Sequence, residues 1–236
     1  MTHAIAERQV LESTGRELQA SVLVLAIHGS PGDPARAREE FAFLAGNARP
    51  LEVLVLNNKE HPAAAQLGRI AQTYPGCELL VAPFLLGEGY HFSHDLVPAV
   101  EAALRLGAPV RLLPLFGQAE IFLTALHVAL FEHAPPGFVG KLAWLVPGGT
   151  KVATDLLEAL ELIRPELAEV STWHALTRAE VPDTLPENAL PLVAVLRDGR
   201  IVDNLRNAHL GAQAPRPLFR PRHLRAALEG WTKVAH

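Results

Sequence analysis

The chain has 236 residues, of which 49% are hydrophobic and 19% charged, and its formal net charge is −4. A chain this long and apolar can bury a sizeable core, which excludes intrinsic disorder. Its single cysteine excludes a disulfide scaffold, an iron–sulfur cluster and a cysteine-based zinc site within the chain. The net charge argues against a large nucleic-acid-binding surface. No apolar run approaches the roughly 20 residues of a membrane helix, and the polar N-terminus lacks a secretory signal pattern, so we expect a cytoplasmic protein without a membrane partner.

Strands and helices are predicted to alternate over the first 133 residues. Four apolar runs, typical of strands buried on both faces, each precede a segment with helical periodicity. The strands are predicted at 21–27, 51–57, 78–86 and 109–116, and the helices at 34–45, 62–73, 93–106 and 119–133. Four β–α units in succession predict an α/β domain with a parallel sheet and right-handed crossovers.

A weaker version of the same pattern follows the segment APPG at 134–137. It begins with a strand and turn at 141–150, and it includes a helix at 150–163 and a closing helix at 222–234. Short strands are predicted near 170–176 and 191–199, and an extended linker at 215–221. We therefore predict two similar α/β halves with parallel sheets, the second degenerate, with a domain at 1–134 that carries the candidate site and a smaller domain at 135–236.

Two histidines of the first half follow predicted strands. His28 comes directly after the first strand, and His91 follows the third strand in the turn LLGEGYH. Ligands of open parallel sheets bind outside the carboxyl ends of the strands. If these two strands are neighbours, the rings can converge on one ion, since neutral imidazole ligates cobalt, iron, nickel and zinc. The alternative is that each histidine is an ordinary turn residue.

Asp95 lies four positions after His91 and is therefore within reach of it on a helix. Its carboxylate would accept a hydrogen bond from His91 and fix the tautomer of the ring. A simple favourable charge at a helix start is the alternative for Asp95, and the role of His94 stays open.

Other classes of site are poorly supported. The chain has no GxGxxG after the first strand and no GxxxxGK[ST], so we expect no nucleotide cofactor. Ser30 in the turn after His28 lacks the GxSxG elbow of a nucleophile. A hydrolase or mutase that uses this turn is therefore the weakest of the alternatives.

Two segments of the first half resemble the signatures of the CbiX/SirB sirohydrochlorin chelatases. VLVLAIHGSPGD, at 22–33, contains the strand followed by His-Gly-Ser. VAPFLLGEGYHFSHDLVPAV, at 81–100, has Pro83-Phe84-Leu85 where the family has a strand of the P-x-F-L type. It then contains G-x-H-x-x-x-D, with one extra residue between Leu96 and Pro98. PLFG, at 114–117, resembles the family's turn after the fourth strand. The resemblance spans about residues 20–133.

The resemblance implies a class II metallochelatase, a lyase that works without ATP. Such an enzyme inserts cobalt or iron, as substrate, into a sirohydrochlorin-type tetrapyrrole in cobalamin or siroheme biosynthesis. By the motif match, His28 and His91 are the metal-binding and catalytic residues. The family's usual histidine after the fourth strand is replaced here by Gln118-Ala119-Glu120, and the second half has PGGT where a duplicated motif would have HGS. These departures imply that one half alone is active.

A non-catalytic alternative has the same fold. The chain would then bind a metal or a tetrapyrrole without turnover, or form part of a larger protein. The degenerate second half favours this alternative. The sequence does not specify the metal, the tetrapyrrole or the oligomeric state.

Overall fold

The structure is a computed structural model that describes residues 20–29, 33–45, 49–147, 149–176, 185–196, 204–205, 207 and 214–233. Eight strands and seven α-helices have both ends within these ranges, and residues 204–205 and 207 are helical as well. The first half contains β1 (Ser21–His28), α1 (Asp33–Glu40), β2 (Leu51–Leu56), α2 (Ala63–Thr73), β3 (Glu78–Phe84), α3 (Val97–Arg105), β4 (Val110–Leu112) and α4 (Glu120–His133). The second half contains β5 (Lys141–Pro147), α5 (Thr150–Ile163), α6 (Pro165–Glu169), β6 (Ser171–Leu176), β7 (Ala189–Val193), β8 (Arg216–Pro217) and α7 (Pro221–Lys233). These counts refer to the described ranges.

The strands form two four-stranded parallel sheets, in the orders β2-β1-β3-β4 and β6-β5-β7-β8. The relative order of strands is the same in both sheets, so the second half repeats the topology of the first. The predicted α/β class with two similar parallel-sheet halves is therefore confirmed. The boundary between domains at residue 134 stays a prediction.

The central position of β1 determines where the candidate site lies. β1 pairs with β2 on one side and with β3 on the other, from Ser21 opposite Glu78 to Ile27 opposite Phe84. Both strands are buried on both faces, which accounts for their continuous apolar sequences. β1, which ends at His28, and β3, which His91 follows, are therefore direct neighbours.

The core spans both halves. Alternate residues of β1, such as Leu23 and Leu25, pack in one apolar cluster together with Trp144 of β5 and Leu156 of α5. The residues between them, such as Val24, face a second cluster formed with α2 and α3. One apolar cluster therefore contains residues of both halves.

Some predicted elements differ from those observed. The helix predicted at 34–45 ends at Glu40 and is followed by a short 3-10 turn, Ala42–Leu44. The strand predicted at 109–116 is only Val110–Leu112, and it stops before Pro114, which has no N–H to donate to a neighbouring strand. The strand predicted at 191–199 is observed at Ala189–Val193, and residues 197–199 lie outside the described residues. The predicted linker at 215–221 contains the short strand β8.

Within the described ranges, no helix is long and apolar enough to cross a bilayer.

The closing helix α7 packs against α4 of the first half through a charged cluster. The backbone N–H of Arg220 donates to Nδ1 of His223 at 3.1 Å, so the ring proton lies on Nε2, which donates to Glu132 at 2.8 Å. Arg222 donates to both carboxylate oxygens of Glu132, at 2.6 and 2.7 Å. These hydrogen bonds, first from Arg222 and then from His223, lower the pKa of Glu132 to about 2.

This lowered pKa predicts a specific dependence of stability on pH. Because the folded state holds the carboxylate ionised, its contribution is fully present above the ordinary glutamate pKa and is lost as pH falls towards about 2. We expect the difference in unfolding free energy between wild type and Glu132→Gln to shrink between about pH 4.5 and 2, as the carboxylate takes up a proton. Urea unfolding at a series of pH values measures it. Glu229→Gln, which removes an exposed partner of Arg225 on α7, is the control, and a constant difference for Glu132→Gln down to pH 2 would contradict the prediction.

Candidate metal-binding site

His28 and His91 lie together at the carboxyl ends of β1 and β3. Their ring centroids are 4.7 Å apart, with the ring planes at 60°. His28 is exposed to solvent, and 20% of the side-chain surface of His91 is accessible to solvent. The predicted convergence of the two rings is therefore present, and each side chain has some surface accessible to solvent.

His91 lies at the start of an irregular helical segment. Phe92–Leu96 forms a π-helical turn that continues directly into α3, so the expected helix start at Ser93 is wrong, because the chain is already helical at His91. The backbone N–H of Val97 reaches back to the carbonyl of Phe92, and the next residue, Pro98, has no N–H with which to continue the α-helical ladder. Such wide turns are frequent at functional sites.

Asp95 orients the ring of His91. Nδ1 of His91 donates to Oδ2 of Asp95 at 2.6 Å, which places the ring proton on Nδ1 and the free lone pair of the neutral ring on Nε2. The backbone N–H of Asn57, which directly follows β2, donates to the same carboxylate oxygen at 3.4 Å. Asn57 has a φ of 62°, a backbone region that asparagine tolerates better than most residues. The contact predicted between Asp95 and His91 is thus present, and the ends of three neighbouring strands contribute to the site.

The loop between β3 and His91 is held from two sides. Gly117 lies against the backbone of Leu86, where a Cβ on residue 117 would be 1.9 Å from the Leu86 carbonyl oxygen. Gly117 also donates its N–H to the carbonyl of Leu85 at 3.0 Å. From the second half, Lys151 of α5 pairs with Glu88 at 2.6 Å. The residues that precede His91 are therefore positioned by both halves of the molecule.

A second carboxylate from α5 lies against the same loop. A Cβ on Gly87 would be 3.1 Å from Oδ2 of Asp155, and this oxygen has no hydrogen-bond partner among the described residues. Burial raises the pKa of Asp155, and the nearby Lys151 partly offsets that increase. Asp155 was not predicted from the sequence, because only the packing of α5 on the loop brings it there.

An aromatic contact beside the histidines was also not among the sequence predictions. The rings of Tyr90 and His94 are stacked, with centroids 4.2 Å apart and planes at 7°. The Tyr90 ring meets the His91 ring edge to face at 5.5 Å. Tyr90 and His94 are four positions apart, a spacing that places two rings on the same side of a helix. This spacing was the available signal for the contact.

Four other histidines of the described ranges differ in burial and bonding. His61 and His127 are exposed. His133 is buried and bonded to the carbonyl of Leu218 at 3.1 Å, and its burial lowers its pKa, as burial also does for His174. Across the described ranges, no cluster of three or more His, Cys, Asp and Glu side chains is arranged to hold a metal ion.

Known structures share this fold. No protein-family model matches the chain, and no curated protein does. The chain is similar to SirB from Bacillus subtilis with Fe³⁺, at 14% identity and a TM-score of 0.60, covering 92% of this chain and 95% of that one. It is also similar to the sirohydrochlorin chelatase SirB from Bacillus subtilis subspecies spizizenii in complex with cobalt, at 15% identity and a TM-score of 0.60, over 92% and 94% of the two chains.

A third similar structure is CbiX, described as the terminal enzyme for biosynthesis of siroheme in denitrifying bacteria. Its identity to this chain is 24%, with a TM-score of 0.57 over 92% of this chain and 99% of the other. The resemblance to the CbiX/SirB chelatases inferred from two short motifs is thus confirmed as a likeness of fold over nearly the whole chain. At these identities the likeness establishes the fold alone.

Proposed function

We propose that this protein is a lyase that inserts a divalent metal into a sirohydrochlorin-type tetrapyrrole without ATP, with cobalt or iron as the metal. The observation that supports this most directly is the pair of histidine rings 4.7 Å apart at the ends of two adjacent strands. The shared fold supports it as well, because two of the similar structures are described with bound Fe³⁺ or cobalt. The reaction would serve cobalamin or siroheme biosynthesis.

His28 and His91 are the proposed metal ligands and catalytic residues. Nε2 of His91 is the nitrogen available for the ion, because Nδ1 is bonded to Asp95. Two imidazoles occupy two positions of the metal's coordination shell, and water and then the pyrrole nitrogens would take the others. Such a site holds the ion while leaving it accessible to the macrocycle.

The same two residues can accept the protons that the reaction releases. Insertion of a divalent metal releases two protons from the pyrrole nitrogens. As the metal passes from the histidines to the macrocycle, each imidazole regains a lone pair and accepts one proton, so two histidines match two protons. The Asp95 carboxylate stabilises the imidazolium that forms at His91.

Loss of the Asp95 carboxylate is expected to weaken metal binding. Asp95→Ala removes the acceptor that fixes the ring of His91, and we expect the Kd for Co²⁺ to rise about 10- to 100-fold. Calorimetric titration of the purified variant with Co²⁺ measures this. Glu101→Ala, at an exposed carboxylate of α3, is the control, and equal Co²⁺ affinities for Asp95→Ala and wild type would remove Asp95 from this role.

An insertion assay tests the proposed function. Metal-free sirohydrochlorin and Co²⁺ or Fe²⁺ are mixed with the protein, and the change in visible absorption is followed with and without ATP. We expect a rate proportional to protein concentration and independent of ATP. A rate equal to that of the buffer would contradict the proposal, and tight binding of the tetrapyrrole without turnover would favour the alternative of a non-catalytic carrier.

A further inference from the structure

Tyr90 and His94 form a stacked aromatic pair at the edge of the histidine site. Tyr90 is 67% exposed, although it is a large aromatic residue, and His94 is exposed as well. Their rings are nearly parallel, with centroids 4.2 Å apart. A single exposed aromatic residue is ordinary on a protein surface, but here two rings stack next to the candidate metal ligands.

The pair is held in a fixed orientation. Nδ1 of His94 donates to the backbone carbonyl of Tyr90 at 3.1 Å, so the imidazole is bonded to the residue on which it stacks. The Tyr90 ring also meets the ring of His91 at 90°, in the edge-to-face geometry that aromatic pairs favour. Tyr90 therefore presents a preoriented apolar surface, which loses little conformational freedom when a ligand binds.

The pair is continuous with the proposed metal ligands. From His28 to His91, then to Tyr90 and to His94, successive ring centroids are 4.7, 5.5 and 4.2 Å apart. The Tyr90 ring therefore lies one ring contact away from a proposed metal ligand, so a broad ligand that takes the metal from His91 can reach it. Among ligands that receive a metal, a flat conjugated macrocycle is the class whose face matches an aromatic surface, because stacking tolerates variation in substituents and requires only a π face.

We propose that the Tyr90–His94 pair is a docking platform for the conjugated face or edge of the tetrapyrrole, separate from the residues that bind the metal. The inference rests on the proposed function, since it assigns a substrate contact to the same site. The platform positions the macrocycle beside His28 and His91, and the phenolic hydroxyl of Tyr90 is not required for it.

Substitutions at position 90 test the platform by two separate titrations. Binding of metal-free sirohydrochlorin is followed by its absorption and fluorescence, and binding of Co²⁺ alone by calorimetry. We expect Tyr90→Ala to raise the Kd for sirohydrochlorin about 10-fold, in keeping with the loss of one aromatic stacking partner, and to leave the Kd for Co²⁺ within about twofold. Tyr90→Phe should bind both ligands as wild type does, and Tyr90→Leu, which keeps apolar bulk without a π face, should resemble Tyr90→Ala.

A matched control and a set of outcomes separate this inference from the proposed function. Phe131→Ala removes another exposed aromatic side chain, on α4, and should change neither affinity. The platform is overturned if Tyr90→Ala binds sirohydrochlorin as wild type does, if it loses sirohydrochlorin and Co²⁺ affinity equally, or if wild type binds no sirohydrochlorin. If wild type binds the macrocycle through Tyr90 but inserts no metal, the proposed function fails while the platform stands.

Discussion

His28→Ala and His91→Ala are each expected to reduce the rate of metal insertion at least about 100-fold, more than the loss typical of a residue that merely orients a ligand. Each substitution removes one of two proposed metal ligands and one of two proton acceptors. Because His28 is exposed, little packing is lost with its side chain, and the melting temperature of His28→Ala should stay within about 2 °C of wild type. The His91 side chain is 20% exposed and bonded to Asp95, so we expect His91→Ala to lower the melting temperature by a few degrees more.

His127→Ala is the matched control, because His127 is an exposed histidine on α4. It should insert metal at the wild-type rate. A near-normal rate for His28→Ala or His91→Ala would exclude that residue from the reaction. A large fall in melting temperature would instead indicate that the histidine is a structural turn residue.

Gly117→Ala is expected to destabilise the fold by at least about 3 kcal/mol, at the upper end of overpacking effects. The new Cβ would lie 1.9 Å from the carbonyl oxygen of Leu86 and 2.7 Å from its Cα, so the backbone on one side must move. That backbone leads directly to His91. The variant should therefore lose insertion activity as well as stability, with a fall in melting temperature of about 10 °C.

Gly68→Ala provides the opposite result from the same chemical change. Gly68 lies inside α2, and no heavy atom lies within 4 Å of the position of its added Cβ. Alanine favours a helix interior over glycine by about 1 kcal/mol, so this variant should be as stable as wild type or slightly more stable. Thermal unfolding of both variants, followed by circular dichroism, measures the contrast, and equal melting temperatures would contradict the close approach of Gly117 to Leu86.

The strands and most helices were predictable because their signals are local. Continuous apolar runs marked β1, β2 and β3, and the alternation with helical segments indicated parallel sheets. The order of the strands in the sheet is not a local property of the sequence. The prediction that His28 approaches His91 therefore depended on the assumption that β1 and β3 are neighbours. The register of these two strands and the contact between the rings confirm that assumption, while the role of the histidines as ligands stays a prediction.

Contacts between segments that are far apart in the sequence could not be predicted from the sequence. The approach of Asp155 to Gly87 and the pairing of Lys151 with Glu88 depend on how the second half packs on the first. The helix that includes His91 begins before Ser93 and contains a wide turn before Pro98, and such a turn has no distinct residue pattern. Residues 30–32, which include Ser30, lie outside the described residues.

The position of bound cobalt tests most directly whether His28 and His91 share one ion. Crystals of the wild-type protein with Co²⁺ give this position from anomalous scattering at the cobalt absorption edge. We expect a single peak at about 2.0–2.1 Å from one ring nitrogen of each histidine, close to the distance for imidazole bound to zinc, with Nε2 as the ligating atom of His91. A cobalt ion bound elsewhere, with both rings outside ligating distance, would contradict it.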